Sequence, residues 1–479
     1  MEKASRVLSA AMLIIFILLF GLGLGLGVCR PDHLSYPAAF VGGLPLVGLF
    51  ALWQRRRGGG PSLWQRLGEG RSLALLLAFC FLLNLAWVLV FRLEPTVDYA
   101  TFWSTARALA GEDVPMLREY VALFPHILGY SAFLSVFLRL FGSGPLAAPL
   151  VNVCLTTLSG FFLFRLVRRW RGLDAAAFVL LVWALFPSKL LYNSMVLSEP
   201  WYTCLLLAFL WLVSETETRP LPLAAAAGLG ALGGLLLRLL NAARPIAAVP
   251  ILALLIWLLL LRSERGKETR GRWLGFAALL LAVYFASGPL WTGFARRVLG
   301  EAPAPVPGYS LYVGMNMDSM GSYSEEDMAL LGHYRYDFPD SSAVEAQQKM
   351  LEEARSRLHD PDTRLAPLFF VKLRTFLGND EGGAYYSRAG LSGRAYSLLA
   401  LYSNVWYYAL ALLALRGALR LLRSADRRSL LLVPLYVIGL TLAQLLVEVA
   451  ARYHYSLIPM LLLLAGFACA GERAETKGS

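Results

Sequence analysis

The chain has 479 residues, of which 57% are hydrophobic and 16% charged, with a mean hydropathy of +0.57 and a formal net charge of +12. So apolar a composition excludes an ordinary soluble globular protein. Recurrent runs long enough to cross ~30 Å of hydrocarbon, without the short alternating segments of a barrel, predict an all-α polytopic membrane protein. The positive charge does not imply nucleic acid, because the basic residues cluster in short loops between apolar runs, where they set orientation.

The N-terminal stretch MEKASRVLSAAMLIIFILLFGLGLGLG has a basic start and a long apolar core but no clean small-x-small cleavage site, so it reads as an uncleaved first span. Within it, GLGLGLG (21–27) imitates a phosphate-binding loop, yet no strand precedes it; its place inside a span predicts a packing face. Spans are predicted at about 7–28, 37–53, 73–91, 145–165, 174–190, 199–214, 222–240, 245–262, 273–291, 397–416, 430–447 and 455–470, about twelve in all. The loops QRRRGGGPSLWQRLGEGR (54–71), RLVRRWRG (165–172), RSERGKETRGR (262–272) and RGALRLLRSADRR (416–428) are strongly basic and are expected in the cytoplasm.

FPHILGYSAFLSVFLRLFG (124–142) has the length of a span, but if it crossed, RLVRRWRG would fall outside. Its Pro125, His126 and Arg139 suit an in-plane helix. Residues 92–144 are therefore assigned to a first external loop with interfacial helices, inside a transmembrane core of residues 1–291. A second external region covers 292–396, and 397–479 holds the C-terminal helices and a short tail, which leaves both termini cytoplasmic. The second region is polar, opening with the turn-rich EAPAPVPGYS (301–310). Ser324 with Asp327, and Ser342 with Glu345, have capping-box spacing. AVEAQQKMLEEARSRL reads as an amphipathic surface helix. The five cysteines, Cys29, Cys80, Cys154, Cys204 and Cys469, lie in or beside apolar runs without a CxxC and read as packing residues. There is no P-loop, no HExxH and no paired Cys/His metal spacing.

With this topology the unusual polar residues gather on the external side, and ionisable groups near membrane depth are costly enough to raise a functional hypothesis. Asp98 follows the third span and precedes Tyr99, Phe102 and Trp103. Lys189, Asn193 and Glu199 sit in FPSKLLYNSMVLSEPWY (186–202). Arg238 and Arg244 flank RLLNAARP (238–245), and Glu448, Arg452, Tyr453 and His454 lie in VEVAARYHYS (447–456). Each has an ordinary structural reading. Asp98 would be a helix N-cap, Glu199 a dipole-favoured first-turn charge, and His454 a belt residue. Lys189, Arg244 and Arg452 would be snorkelling cations. External Arg and Lys run against the positive-inside bias, however, and an anion such as a phosphate explains them better.

DYATFWSTARAL (98–109), FPHILGYSAFLSVFLRLFG (124–142), NSMVLSEPWYTCLLL (193–207), NAARP (241–245), LYVGMNMDSMGSYSEED (311–327) and ARYHYSLIPMLLLLAG (451–466) together resemble the GT-C superfamily of membrane glycosyltransferases. The resemblance is to the dolichyl-phosphate-mannose protein mannosyltransferase-like group and its bacterial relatives, which include lipid A aminoarabinose transferases. It implies a polyprenyl-phosphate sugar donor and inverting transfer of a hexose or pentose, outside a cell membrane, to a hydroxyl of a lipid, an envelope glycan or a protein. Asp98 carries over as the general base. Lys189, Arg244, Arg452 and His454 are expected at the donor phosphate, and Glu199, Asn193 and Tyr453 at the substrates. Family members often carry further acidic residues beside the loop aspartate. Tyr99 stands there in this chain, so a divalent metal is left open and no metal ligand is assigned. The rival reading is a transporter or lipid-linked-glycan flippase. Against it stand the absence of a repeat between halves, the absence of paired broken helices, and an external region larger than a transporter needs.

Overall fold

The computed structural model describes residues 2–30, 35–56, 61–262, 267–424 and 429–469. Parts of three basic loops (57–60, 263–266 and 425–428) and the tail 470–479 lie outside the described residues.

The described chain is helical and contains no strand. The first half runs α1 (Glu2–Val28), α2 (Ser35–Arg56), α3 (Leu63–Leu67), α4 (Glu69–Val90), α5 (Asp98–Ala110), α6 (Arg118–Leu123), α7 (His126–Phe141), α8 (Ala147–Arg171), α9 (Leu173–Leu185), α10 (Pro187–Asn193) and α11 (Glu199–Thr218). The second half runs α12 (Leu223–Ala243), α13 (Ala248–Ile256), α14 (Lys267–Leu299), α15 (Gly308–Gly314), α16 (Glu325–Tyr336), α17 (Ala343–His359), α18 (Leu365–Leu377), α19 (Gly382–Ser387), α20 (Gly393–Arg423), α21 (Leu432–Leu446) and α22 (Leu457–Ala468).

Among the described residues, eight helices are long and apolar enough to cross a membrane, or up to nine if one bent pair counts as a single span. That pair is α9 and α10, which fill the predicted 174–190 span but bend by 55°. The break falls at Phe186–Pro187, where proline has no N–H to continue the ladder and forces its predecessor into extended geometry. Three further predicted spans are present as helices of other dimensions. The span at 199–214 is α11, of 20 residues; 245–262 is α13, closed by a π turn at Trp257–Leu261; and 455–470 is α22, of only 12 residues. At ~1.5 Å per residue, α22 falls well short of a bilayer core. The segment 124–142 contributes α7, an apolar helix of 16 residues.

Close helix packing explains the glycine-rich first span. A Cβ on Gly27 would lie 2.1 Å from the Gly378 carbonyl oxygen, and one on Gly23 would lie 2.7 Å from the Leu377 Cβ, whereas Gly21 and Gly25 have nothing within 4 Å. One face of α1 therefore seats the C-terminal end of α18, as expected of a packing face. The same device joins α12 to α14, where Cβ atoms on Gly230 and Gly234 would fall 2.1 and 2.3 Å from the Phe276 and Leu280 carbonyl oxygens. Arg238, further along α12, is engaged there too. Its guanidinium donates to the Tyr284 carbonyl (2.6 Å) and lies 4.2 Å from that ring's centroid.

The first loop folds as a pair, α5 on α7, tied by the Ser131 hydroxyl donating to the Phe102 carbonyl at 2.9 Å. In the second polar region the N-termini form where the sequence signals them. Ser342 and Glu345 make a reciprocal capping box, while Ser324 accepts from the Asp327 N–H without the return bond. Helix α17 buries Ala343, Ala346, Gln347, Met350 and Ala354, the 3.6-period stripe of an amphipathic helix. Gln347 joins this region to the first loop, accepting from the Tyr309 N–H (2.8 Å) and donating to the Leu123 carbonyl (3.2 Å).

Candidate functional site

Helix α5 starts at Asp98 itself. The N-cap position belongs to Val97, at φ 48° and ψ −119°, and no side-chain cap is made. A β-branched residue at positive φ is strained, and such strain persists only where surrounding structure enforces it. Asp98 is therefore a first-turn residue whose carboxylate is committed elsewhere, accepting from Arg452 Nη2 at 2.7 Å.

Arg452 sits in a single helical turn, Ala451–His454, between α21 and α22. Its guanidinium carbon lies 5.3 Å from the Tyr386 ring centroid and 5.6 Å from that of Tyr453. Arg244 is the residue after α12 and precedes Pro245. The proline pushes it into the extended region (φ −150°, ψ 127°), which turns its side chain out of the helix. Its Nη2 donates to Glu199 Oε1 at 2.5 Å, and its guanidinium lies 4.8 Å from the Tyr453 ring. Glu199 opens α11, where the helix dipole favours a carboxylate. Two ion pairs, Asp98–Arg452 and Glu199–Arg244, thus meet across Tyr453.

Several buried polar atoms here, among them Arg452 Nε, Glu199 Oε2, Tyr99 Oη and Tyr309 Oη, have no hydrogen-bond partner among the described residues. Orphaned groups of this kind cost ~1–3 kcal/mol each and call for an explanation. His126, at the start of α7, faces the same cluster. Burial first, then the charges of Arg244 and Arg452, push its imidazole down to about 3 and keep it neutral.

Five sequence candidates thus come together: Asp98, Glu199, Arg244, Arg452 and Tyr453. Three do not. The Lys189 ammonium is fully buried and donates to Asn84 Oδ1 (2.9 Å) and to the Ala184 carbonyl (3.0 Å), closing the α9–α10 break. Asn193 joins that network, donating to Asn84 Oδ1 at 2.5 Å and accepting from the Thr156 hydroxyl at 2.7 Å. His454 is held between the Phe376 carbonyl and Asp380 Oδ1, both at 3.1 Å. These side chains are engaged in helix packing, away from the Asp98–Arg452 and Glu199–Arg244 pairs.

Two groups in the cluster had no role assigned from sequence. Glu448 was visible as a carboxylate in VEVAARYHYS, and its turn is pinned by backbone bonds from Glu448 N to the Ser310 carbonyl (2.7 Å) and from Val449 N to the Gly321 carbonyl (2.8 Å). Lys372, on α18, is fully buried and donates to the Gly314 (2.8 Å) and Val447 (2.7 Å) carbonyls. Burial pushes its amine down to about 7. The one signal for it was a lone lysine in the apolar run LAPLFFVKLRTFL.

No three His, Cys, Asp or Glu side chains among the described residues come together in a way that would hold a metal ion. Asp98 faces a guanidinium, so its carboxylate does not fit the role of a divalent-metal ligand. Two cavities lie apart from this cluster. A polar one of about 380 Å³ includes Glu112, Arg118 and Arg297, and an apolar one of about 310 Å³ includes Trp53, Trp64, Phe178 and Trp406.

No protein-family model matches the chain, and no curated protein is similar to it in sequence. Among solved structures it is similar to the Archaeoglobus fulgidus oligosaccharyltransferase tethered to an acceptor peptide, at 12% identity over 83% of this chain and 49% of that one, with a TM-score of 0.47. For the same organism's enzyme, AglB, with an inhibitory peptide and a dolichol-phosphate, the values are 11%, 85%, 50% and 0.46. For ArnT from Cupriavidus metallidurans bound to undecaprenyl phosphate they are 15%, 82%, 77% and 0.32. The chain spans about half the length of the archaeal oligosaccharyltransferase.

Proposed function

We propose that the protein is an integral membrane glycosyltransferase of the GT-C type. In this reading it moves a sugar from a polyprenyl-phosphate carrier to an acceptor hydroxyl on the external face of a cell membrane, with inversion. The observation that carries the reading is the pair of coupled ion pairs, Asp98–Arg452 and Glu199–Arg244, meeting at Tyr453 beside unpartnered buried donors. The sequence resemblance and the helical membrane architecture agree with it.

The chemistry follows from the residues. Inverting transfer needs one base to take the acceptor proton as its oxygen attacks the anomeric carbon. The Asp98 side chain is 40% exposed while Arg452 is 14% exposed, so the carboxylate is the partner an acceptor can reach. The bond between the anomeric carbon and the phosphate oxygen breaks as the new glycosidic bond forms. The leaving phosphate gains negative charge, which preorganised cations stabilise. Arg452 spends Nη2 on Asp98 and keeps a buried, unpartnered Nε for that task. Arg244 contributes the second positive charge, and both guanidinium groups lie against the Tyr453 ring, 4.8 and 5.6 Å from its centroid.

The test is reconstitution in liposomes with a panel of polyprenyl-phosphate hexoses and pentoses and a crude envelope extract as acceptor. Release of polyprenyl phosphate with sugar incorporated into the extract is the expected result. Passage of intact donor across the bilayer, with no release, would instead establish a flippase.

A further inference from the structure

We propose that Glu448 is a third carboxyl group of this site, beside Asp98 and Glu199, and donates a hydrogen bond to the phosphate of the lipid-linked donor; this rests on reading the site as phosphate-binding. Three observations carry it.

The first is placement. The backbone of residues 447–450 is fixed at successive points, by Glu448 N on Ser310, Val449 N on Gly321 and the Lys372 ammonium on the Val447 carbonyl. A Cβ on Gly314 would lie 2.4 Å from the Leu446 carbonyl oxygen, so the turn is seated directly on α15. The backbone that carries Glu448 is therefore held in place just before the 451–454 turn.

The second is that the carboxyl group is unspent. The Glu448 carboxyl makes no hydrogen bond or ion pair within contact distance among the described residues, although it is half-buried. The charged and titratable groups facing it are Arg452 and Tyr453 on the 451–454 turn, Asp98 on α5, Arg244 after α12, Lys372 on α18, Tyr309 on α15, Tyr120 on α6, Tyr323 before α16, and Tyr386 on α19.

The third is charge balance. Asp98 neutralises Arg452 and Glu199 neutralises Arg244. With Glu448 ionised, an incoming phosphate would meet an anion whose one cation not already paired, among the described residues, is Lys372, an amine that burial pushes down to about 7. With Glu448 protonated, it meets a hydrogen-bond donor beside two cations. Burial raises the proton affinity of Glu448 despite the cations around it, which favours the protonated form. A carboxylic acid kept neutral so that it can donate is a known use of such an environment.

The experiment is farnesyl phosphate binding to the detergent-solubilised full-length protein between pH 6 and pH 9, for wild type, Glu448→Gln and Arg452→Gln. Wild-type affinity should fall as pH rises and Glu448 ionises. Glu448→Gln is neutral throughout and keeps an N–H donor, so the ratio of wild-type to variant Kd should grow about 10-fold or more across the range. The ligand's own ionisation occurs in both proteins and cancels in the ratio, and repeating the pair in a Lys372→Met background removes the amine that is coupled to Glu448. Parallel curves would overturn the role of Glu448. Equal binding by wild type and Arg452→Gln would overturn the phosphate reading beneath it. Thermal unfolding of each variant guards against misfolding. Calorimetry from pH 6 to pH 9 in buffers of different ionisation enthalpy should show a proton uptake on binding that differs between wild type and Glu448→Gln as pH rises, and identical proton uptake by the two across the range would sink the proposal.

Discussion

Asp98→Asn separates the chemistry of the site from its architecture. Asparagine keeps an oxygen that can accept from Arg452 Nη2 where Asp98 now does so at 2.7 Å. It also preserves the first turn of α5, since the native residue makes no side-chain cap. What is lost structurally is the ionic part of a pair whose carboxylate is 40% exposed, worth ~0–1 kcal/mol after solvent screening. What is lost chemically, in the proposed mechanism, is the general base, worth ~10²–10⁴ in rate, or ~3–5 kcal/mol of barrier. Donor affinity should hold or tighten, because Arg452 is relieved of a competing anion. The assay is single-turnover release of polyprenyl phosphate in nanodiscs, with donor binding and thermal unfolding measured on the same preparation. Near-wild-type turnover would refute the reasoning, as would a rate loss fully accounted for by weaker donor binding or by unfolded protein.

Lys189→Met should lower the unfolding temperature while leaving donor affinity unchanged, because the ammonium closes the α9–α10 break and does not face the site; weakened farnesyl phosphate binding would return Lys189 to the phosphate. Gly27→Ala should destabilise by ~1–3 kcal/mol through its clash with the Gly378 carbonyl, whereas Gly25→Ala, with nothing within 4 Å, should be neutral; equal unfolding temperatures would contradict the α1–α18 contact. Lys372, pushed down to about 7 from an unfolded value of ~10.4, makes the unfolded chain bind more protons across that window, so stability should rise with pH from about 7 to about 10. Lys372→Met should remove that rise, as read by thermal unfolding at pH 7 and 9; an unaltered slope would remove Lys372 as its source. In a background without native cysteines, a membrane-impermeant thiol reagent applied to intact cells should label Glu326→Cys and spare Arg66→Cys, and the reverse pattern would invert the proposed orientation.

What the sequence made legible was local or carried by polarity. The capping serines, the stripe of α17 and the glycine face of α1 are short-range patterns, and each reappears in the folded chain. Asp98, Glu199, Arg244, Arg452 and Tyr453 were singled out because charges in an apolar chain are conspicuous. Sequence could not say which of those charges were already satisfied. Lys189 and His454 look as exceptional as Arg452, but their partners, Asn84 and Asp380, lie 105 and 74 residues away. Lys372 and Glu448 escaped a role for the same reason, since a contact between α18 and the turn before α22 leaves no periodic trace. The span count was blurred by Pro187, which breaks an otherwise continuous apolar run, and by the 12 residues of α22.

The central claim, that this protein transfers a sugar from a lipid-linked donor using Asp98, is tested most directly by mass spectrometry of envelope lipids, glycans and proteins from cells with the wild-type protein, without it, and with Asp98→Asn at matched expression. The account predicts a hexose or pentose increment on one acceptor that disappears in both altered strains, accompanied by accumulation of the polyprenyl-phosphate sugar. An acceptor profile identical in all three, or one fully restored by Asp98→Asn, would contradict it.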